Sequence, residues 1–485
     1  MILLSNILKN ITLIGSYDSN ISINSITIDN RIATENDLFI AIKGTSIDSH
    51  RFIIDAIKRK VAAVVCEFIP DDCPIDFNYI IVKDSRKIIG QIASNYYNNP
   101  SEKLKLIGVT GTNGKTTVAT LLKNLFTQLG HKTALISTIQ NIIGDEIISS
   151  THTTPDPISL NALLAKMVKK GCDYCFMEVS SHAIDQNRIG GITFAGGVFT
   201  NITHDHLDYH KTFDNYLKAK KQFFDNLPSS AFAITNKDDR NGLVMLQNTK
   251  ASKYTYSLKS ISDFKGKIIE SDLTGLLLEI DGTQAWYGLS GDFNAYNLLA
   301  VYGTAFILDE SKEKIIKALT NTRGAKGRFE MLRSDSGVIG VIDYAHTPDA
   351  IKNVLETINK VRTKNETLTT VIGCGGDRDK EKRPIMGDIA SALSDKVIFT
   401  SDNPRTEDPE TILSEIKAGV KAQNFKKILK ITNREEAIQV AVSQAKRGDI
   451  ILLAGKGHED YQEVNGVKTH FDDFEKLKQA FKNIQ

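Results

Sequence analysis

Gly111-Thr112-Asn113-Gly114-Lys115-Thr116-Thr117 has the residue types and spacing that hold a phosphate chain. It lies within Leu104 to Thr120, LKLIGVTGTNGKTTVAT, where an apolar run (Leu106, Ile107, Val109) leads in and a helical pattern leads out. The loop is a variant phosphate-binding loop, one residue shorter between its first Gly and the Gly-Lys pair than the usual form. Gly111 and Gly114 permit the tight turn that aims successive N–H groups at an anion. Lys115 brings a charge to the β- and γ-phosphates, and Thr116 or Thr117 can hold Mg²⁺. The helix that starts here points its positive end at the same anion. The expectation is a site for ATP or a close relative.

Other chemically able residues follow strand-like runs, where ligand sites of open α/β sheets gather. CDYCFMEVSS delivers Glu178, Ser181 and His182, and GGVFTNI delivers His204, Asp205, His206, Asp208 and His210. Glu178 stands where a phosphate-loop enzyme keeps a Mg²⁺ ligand or water-organising carboxylate; a solvated strand-end carboxylate is the plainer reading. Imidazoles usually favour softer metals, so the His spacing stays open, and Asp205 and Asp208 are equally candidates to cap the next helix. Lys218, Lys220 and Lys221 read by composition as a solvated helix face. Asn294 and Asn297 lie one helical turn apart, able to meet a base edge or to cap the helix. Arg378 and Arg405, in polar loops after later strands, are carboxylate clamps or salt-bridge partners. The turns at Asp29–Arg31 and Gly44–His50 are surface loops or a clasp for the far end of a substrate.

These residues need a frame, and 485 residues are too many for one core; roughly two to four domains are expected. Alternating strand-like and helix-like runs indicate α/β domains with parallel sheets. Residues 1–100 read as a small α/β domain, 101–328 as a central domain around the phosphate loop, and 329–485 as a third, doubly wound domain. A formal charge of +2 without a basic block argues against nucleic acid as partner. No apolar run approaches a membrane span and the N-terminus lacks a signal-peptide pattern, so a cytoplasmic protein without membrane insertion is expected. Five cysteines are too few and scattered for a disulfide framework; Cys172 and Cys175 sit in an apolar run and read as buried. Trp286 is assigned to packing.

Thr110 to Thr117, TTPD at 153–156, MEVSSH at 177–182, DHLDYH at 205–210, DYAHTPD at 343–349, GGDRDKEKRP at 375–384, DNPR at 402–405 and GKGHE at 455–459 together resemble the Mur ligases. The resemblance spans essentially the whole chain. It implies three domains: an N-terminal domain for the UDP-sugar, a central P-loop ATPase-like domain and a Rossmann-like C-terminal domain for the incoming amino acid. It also implies that ATP, with Mg²⁺, joins UDP-N-acetylmuramoyl-L-alanyl-D-glutamate to a diamino acid through an acyl phosphate. Carried over by motif, Lys115 is the phosphate-loop lysine, and Thr116, Glu178 and His206 are Mg²⁺ ligands. Lys220 matches a lysine that becomes N-carbamylated, gaining a carboxylate-like head that can ligate metal. Asn294 and Asn297 lie near adenine, and Arg328 and His346 near the ATP. Thr27, Asp29 and Arg31, with the Gly44–Arg51 stretch, resemble the uridine site. Thr153, Thr154, Ser181 and Arg188 resemble residues that hold the muramoyl-dipeptide arm.

The resemblance gives the incoming amino acid to Arg378, Asp402, Asn403, Arg405, Gly455 and Glu459. The arginine of DNPR accompanies meso-diaminopimelate, whose distal carboxylate it can grip, and an arginine left unpaired disfavours lysine. Departures from the family wording include Asn30, Ser49, Lys326, Glu381 and His204; none removes a proposed metal ligand or Arg405. The rival readings are the same ligation with L-lysine, a folylpolyglutamate synthetase-like ligase, and a non-catalytic nucleotide-binding module. A monomer is expected.

Overall fold

A computed structural model describes residues 1–483 apart from 16, 45–46, 151 and 364. Thr45 and Ser46 of the Gly44–Arg51 stretch, and Thr151 of the loop before TTPD, therefore lie outside the described residues. Three main sheets organise the chain. The first has four short parallel strands, Ile26–Thr27, Leu38–Ile40, Ala63–Cys66 and Tyr79–Ile81. The helix Ser85–Tyr96 covers it and packs on the helix Pro157–Lys169 of the second unit. Gly90 of the same helix also meets the loop at Gly190, where a Cβ on Gly90 would stand 2.0 Å from the Gly190 carbonyl oxygen.

The second sheet has eleven strands. Lys105–Thr110 lies near its middle, between Tyr174–Glu178 and Gly196–Phe199, and pairs in parallel with both. Glu178 pairs with Val109, and Phe199 with Thr110, so the loops after these three strands leave from one edge. Both faces of Lys105–Thr110 are covered, which is why its residues from Leu106 to Thr110 are all buried and its apolar run is unbroken.

The helix Phe213–Asp225 is capped by Thr212, whose side chain accepts from the Asn215 N–H. It packs close because the strands beneath it offer glycine. A Cβ on Gly108 would stand 2.6 Å from Phe223 Cζ, and one on Gly197 2.9 Å from Phe223 Cε1. Phe223 and Phe224 are buried there, and truncating either would remove about 3–5 kcal/mol of stability. Lys220, three and four residues earlier, must share that inward face. It is 1% exposed, so the solvated-face reading of its composition is corrected.

In the third sheet, Glu330–Arg333, Ile339–Asp343, Ile450–Ala454, Leu368–Ile372, Lys396–Phe399 and Ile428–Lys430 lie in that spatial order. All pairs are parallel except the first. Asp343 pairs with Ala454, Ala454 with Ile372 and Ile372 with Phe399, which brings the loops after all four to one edge. The helix Pro348–Val361 starts under a Thr347 cap with Pro at its first position.

Several elements go beyond the sequence reading. The hairpins Gln140–Ile143 with Glu146–Ser149 and Tyr461–Val464 with Val467–His470, the short pair Ile2–Leu3 with Ser22–Ile23, and the edge strand Glu330–Arg333 were not expected. Trp286, assigned to packing, is 40% exposed on the edge strand Thr283–Tyr287. The five cysteines are buried and free, as their scatter indicated. Among the described residues no helix is long and apolar enough to cross a membrane.

Candidate active site

The phosphate loop depends on two glycines. Gly111 has φ +155° and a Cβ there would lie 1.9 Å from Thr200 Oγ1; Gly114 has φ +87° and its Cβ would lie 2.7 Å from Asn297 Oδ1. The loop is braced from the neighbouring strand end, with the Thr112 N–H donating to Asn201 O at 2.8 Å and the Asn113 N–H to Asn201 Oδ1 at 3.0 Å. Gly114 is the N-cap of Lys115–Gln128, so no side chain screens the positive end of that helix. Lys115 Nζ donates to Gly111 O at 2.9 Å and Thr112 O at 2.8 Å. Burial lowers the Lys115 pKa, and Glu178 and Asp205 oppose that shift.

Glu178 is 1% exposed and accepts from Thr116 Oγ1 at 2.9 Å, the Thr138 N–H at 2.8 Å and Thr138 Oγ1 at 3.2 Å. Arg328 Nη2 reaches the same Thr116 hydroxyl at 3.2 Å, its guanidinium lies 4.6 Å from the Tyr344 ring centroid, and its Nε is buried without a partner. The Thr116–Glu178 pair thus already attracts a cationic group. Among the described residues no three His, Cys, Asp or Glu side chains converge as a metal cluster. A cation at Thr116 and Glu178 would therefore draw its other ligands from phosphate and water, which suits Mg²⁺.

His206 and Lys220 flank Tyr216. The His206 ring lies 6.1 Å from the Tyr216 centroid, and Lys220 Nζ lies 4.7 Å from it while donating to Gly111 O at 2.8 Å. Burial, then the neighbouring Lys115 charge, holds the Lys220 amine well below its ordinary pKa. Burial also pushes His206 down, against the pull of Asp205 at 3.4 Å. Both are thereby kept closer to the neutral forms that can use a lone pair. The three histidines part company: His204 is exposed, His206 enters the cavity, and buried His210 bonds Ser181 Oγ at 3.0 Å through Nε2. The capping alternative for Asp205 and Asp208 is not realised, since Leu207–His210 has no side-chain cap.

One cavity of about 730 Å³ gathers Thr112 to Thr117, Thr153, Glu178, Ser181, His206, Lys220, Asn294, Asn297, Arg328 and His346. Asn294 and Asn297 are buried at one end; Asn294 Nδ2 donates to Ser290 O and Asn297 Nδ2 to Asn294 Oδ1. His346, pushed down to about 4 mainly by burial, hydrogen-bonds Tyr344 O through Nδ1 at 2.8 Å. Asp349 ties the third sheet to the phosphate loop by accepting from Asn113 Nδ2 at 2.9 Å.

The other expected residues lie outside this cavity. Thr154 Oγ1 donates to Glu178 O at 2.9 Å, and Arg188 Nη1 donates to Thr154 O at 3.1 Å, which places both beside it. Thr27 ends the first strand of the first sheet, and Asp29 and Arg31 lie in the turn after it; Thr27 Oγ1 accepts from the Asp29 N–H, and Arg31 pairs with Asp29 at 2.7 Å. Arg378, Asp402, Asn403, Arg405, Gly455 and Glu459 surround a separate corner of the third sheet. Arg405 has φ +52°, donates from Nη1 to Gly376 O at 2.7 Å, and has Nε 3.7 Å from Glu463 Oε2. Asn403 Nδ2 donates to Glu459 Oε2 at 2.7 Å. Arg378 is exposed, its Nη1 on Asp377 O. Tyr344 links corner and cavity, donating to Glu459 Oε1 at 3.5 Å with its ring 4.5 Å from His346.

Sequence reasoning missed Thr138, Tyr344, Lys456 and Glu463. Tyr344 and Lys456 stand within DYAHTPD and GKGHE, where residue type alone assigns them no role. Thr138 and Glu463 have no local signal, because their contacts to Glu178 and Arg405 exist only once distant strands are paired.

The model for the Mur ligase middle domain matches residues 109–305, and that for the Mur ligase glutamate ligase domain matches residues 327–457. The chain is 56% identical over 456 residues to the UDP-N-acetylmuramoyl-L-alanyl-D-glutamate–2,6-diaminopimelate ligase of Cytophaga hutchinsonii, covering 94% of each. It is 41% identical over 483 residues to the enzyme of that name from Clostridioides difficile, covering 97% of this chain and 98% of the other. A solved structure under the same name aligns with TM-score 0.71 and 31% identity over 99% of both chains. MurF of Thermotoga maritima, solved with ADP, shares the fold at TM-score 0.63 and 19% identity, covering 95% of this chain and 97% of that one.

Proposed function

The chain belongs to the Mur ligase family, and from that premise we propose that it joins meso-2,6-diaminopimelate to the D-glutamate of UDP-N-acetylmuramoyl-L-alanyl-D-glutamate, with ATP converted to ADP and phosphate, in peptidoglycan precursor synthesis. The observation that carries the reading is one of placement. Lys115, Thr116 and Glu178 of the central sheet share a cavity with Arg328 and His346, and Tyr344 leads from it to a corner holding Arg405 and Glu459. Residues 1–100 are assigned to the nucleotide sugar, 101–328 to ATP and 329–485 to the amino acid. A cytoplasmic monomer supplied with soluble precursors fits this assignment.

A carboxylate is a poor electrophile, so the substrate carboxylate first takes the γ-phosphoryl group and ADP leaves. The amine then attacks the acyl carbon, a tetrahedral oxyanion forms, and inorganic phosphate departs as the amide closes. The open N-terminus of Lys115–Gln128 and the Lys115 ammonium offset charge on the phosphates through both steps. Mg²⁺ at Thr116 and Glu178 would neutralise further charge on the transferring group. The neutral Lys220 amine is the form that adds CO₂, giving a carbamate and releasing a proton, and the product would face His206 across Tyr216. Thr153, Thr154, Ser181 and Arg188 are assigned to the dipeptide arm, and the cover from the third sheet keeps water from the acyl phosphate.

Isotope transfer tests this. With ¹⁸O in the substrate carboxylate, each turnover should move one ¹⁸O into inorganic phosphate, and sustained ADP release should require nucleotide sugar, ATP and diamino acid together. Sustained ADP release without the amino acid, or phosphate free of label, would overturn the reading.

A further inference from the structure

The strand Ile450–Ala454 ends at Gly455, which has φ +113° and whose Cβ would lie 2.6 Å from Asp402 Oδ2. That close approach carries the next residue, Lys456, into the interior, where it is 0% exposed. Its Nζ donates to Asn403 Oδ1 at 3.2 Å and stands 3.5 Å from Glu459 Oε2 and 3.9 Å from Asp402 Oδ1. The phosphoryl and acyl steps above do not use this ammonium. A charge so deep persists only where its partners need it.

Asn403 shows the need. Its Oδ1 accepts from Lys456 Nζ and from the Glu463 N–H at 3.0 Å, while its Nδ2 donates to Glu459 Oε2 at 2.7 Å. Turning the amide over would set donor against donor on one side and oxygen against carboxylate on the other. Lys456 therefore helps fix one orientation of Asn403, and through it the position of Glu459. It also stands between two carboxylates. Burial, and then Asp402, raises the pKa of Glu459, and Lys456 opposes the shift. Asp402, Glu459 and Lys456 together leave one net negative charge, next to the guanidinium of Arg405. That pairing matches an ammonium and a carboxylate on one carbon.

We propose that Lys456 is a positioning residue for the incoming amino acid, orienting Asn403 and compensating the Asp402–Glu459 pair so that this corner receives a zwitterionic amino-acid end. The inference rests on the assignment of the corner to the amino acid. Its test compares K456M and K456R with wild type, measuring KM separately for meso-diaminopimelate, ATP and the nucleotide sugar. K456M should raise KM for the diamino acid by about 30-fold or more, leave the other two within about threefold, and be largely rescued by K456R. In an E459Q background, where no unpaired carboxylate is left at Glu459 to destabilise the fold, adding K456M should change the diamino-acid KM by less than about threefold. An unchanged KM for the diamino acid in K456M, an equal rise in all three, or an undiminished effect in the E459Q background would overturn the proposal. Failure of the proposed ligation shows differently, as wild-type enzyme that does not use the diamino acid, and failure of the corner assignment as a diamino-acid KM that E459Q alone does not move.

Discussion

Replacing Arg405 by methionine keeps a long unbranched side chain and removes only the guanidinium. Arg405 has five N–H bonds; one from Nη1 goes to Gly376 O at 2.7 Å, and Nε faces Glu463 at 3.7 Å. Three N–H bonds remain, one on Nη1 and two on Nη2, and a bidentate carboxylate takes two of them. Two charge-assisted bonds at about 1.5–3 kcal/mol each give a gross 3–6 kcal/mol, and desolvating the ligand carboxylate brings the net to the lower end. At about 3 kcal/mol, kcat/KM for meso-diaminopimelate should fall roughly 100-fold. L-lysine has no distal carboxylate to lose, so its kcat/KM should stay within a few-fold and the preference between the two should shrink by the same factor. ATP and nucleotide-sugar KM should not move. Phosphate release under varied amino acid reads all of these. A fall below threefold for meso-diaminopimelate, or one shared equally with ATP, would refute the assignment of Arg405 to the distal carboxylate.

Two further outcomes follow from the cavity. K220A should abolish turnover while leaving ATP binding in place, and acetate or propionate at tens of millimolar should restore part of it by placing a carboxylate where the carbamate would lie; rescue by an amine instead would contradict the carbamate. Asp343 is pushed from 3.8 up to about 6, chiefly by burial. Its folded value is raised above the unfolded one, so the stability it contributes is present at low pH and lost as pH rises through about 6, a change of about 3 kcal/mol. D343N, whose amide oxygen can still accept from the Phe329 N–H, should therefore stabilise the third sheet increasingly from about pH 4 to about pH 6 and hold that gain at higher pH. Urea midpoints for the transition that unfolds this sheet check the trend, and a constant or shrinking gain over that rise contradicts it.

The phosphate loop was legible because its chemistry is contiguous: strand, two glycines, lysine and helix follow one another within seventeen residues. The alternation of elements likewise indicated parallel sheets, and strand ends indicated where polar side chains would gather. Lys220 shows the limit. KAKKQFF reads as a charged surface until Gly108 and Gly197 admit Phe223 and turn the face inward, a fact held by strands far away in sequence. Arg405 was visible in its motif, but the hairpin that holds its backbone was not. The Arg405 N–H donates to Glu463 O at 3.1 Å and its carbonyl accepts from the Asn465 N–H at 2.7 Å. Thr27, Asp29 and Arg31 were legible as a polar turn, whereas their mutual pairing depends on geometry that residue types do not specify.

The central claim is ligation of meso-diaminopimelate, and a one-tube competition tests it most directly. Purified protein receives UDP-N-acetylmuramoyl-L-alanyl-D-glutamate, ATP, Mg²⁺ and equal concentrations of meso-diaminopimelate and L-lysine, and the nucleotide products are resolved by mass. The account predicts a tripeptide product carrying diaminopimelate, with the lysine product at or near background. A dominant lysine product would contradict the specificity assigned to Arg405, and no tripeptide of either kind would contradict the proposed ligation itself.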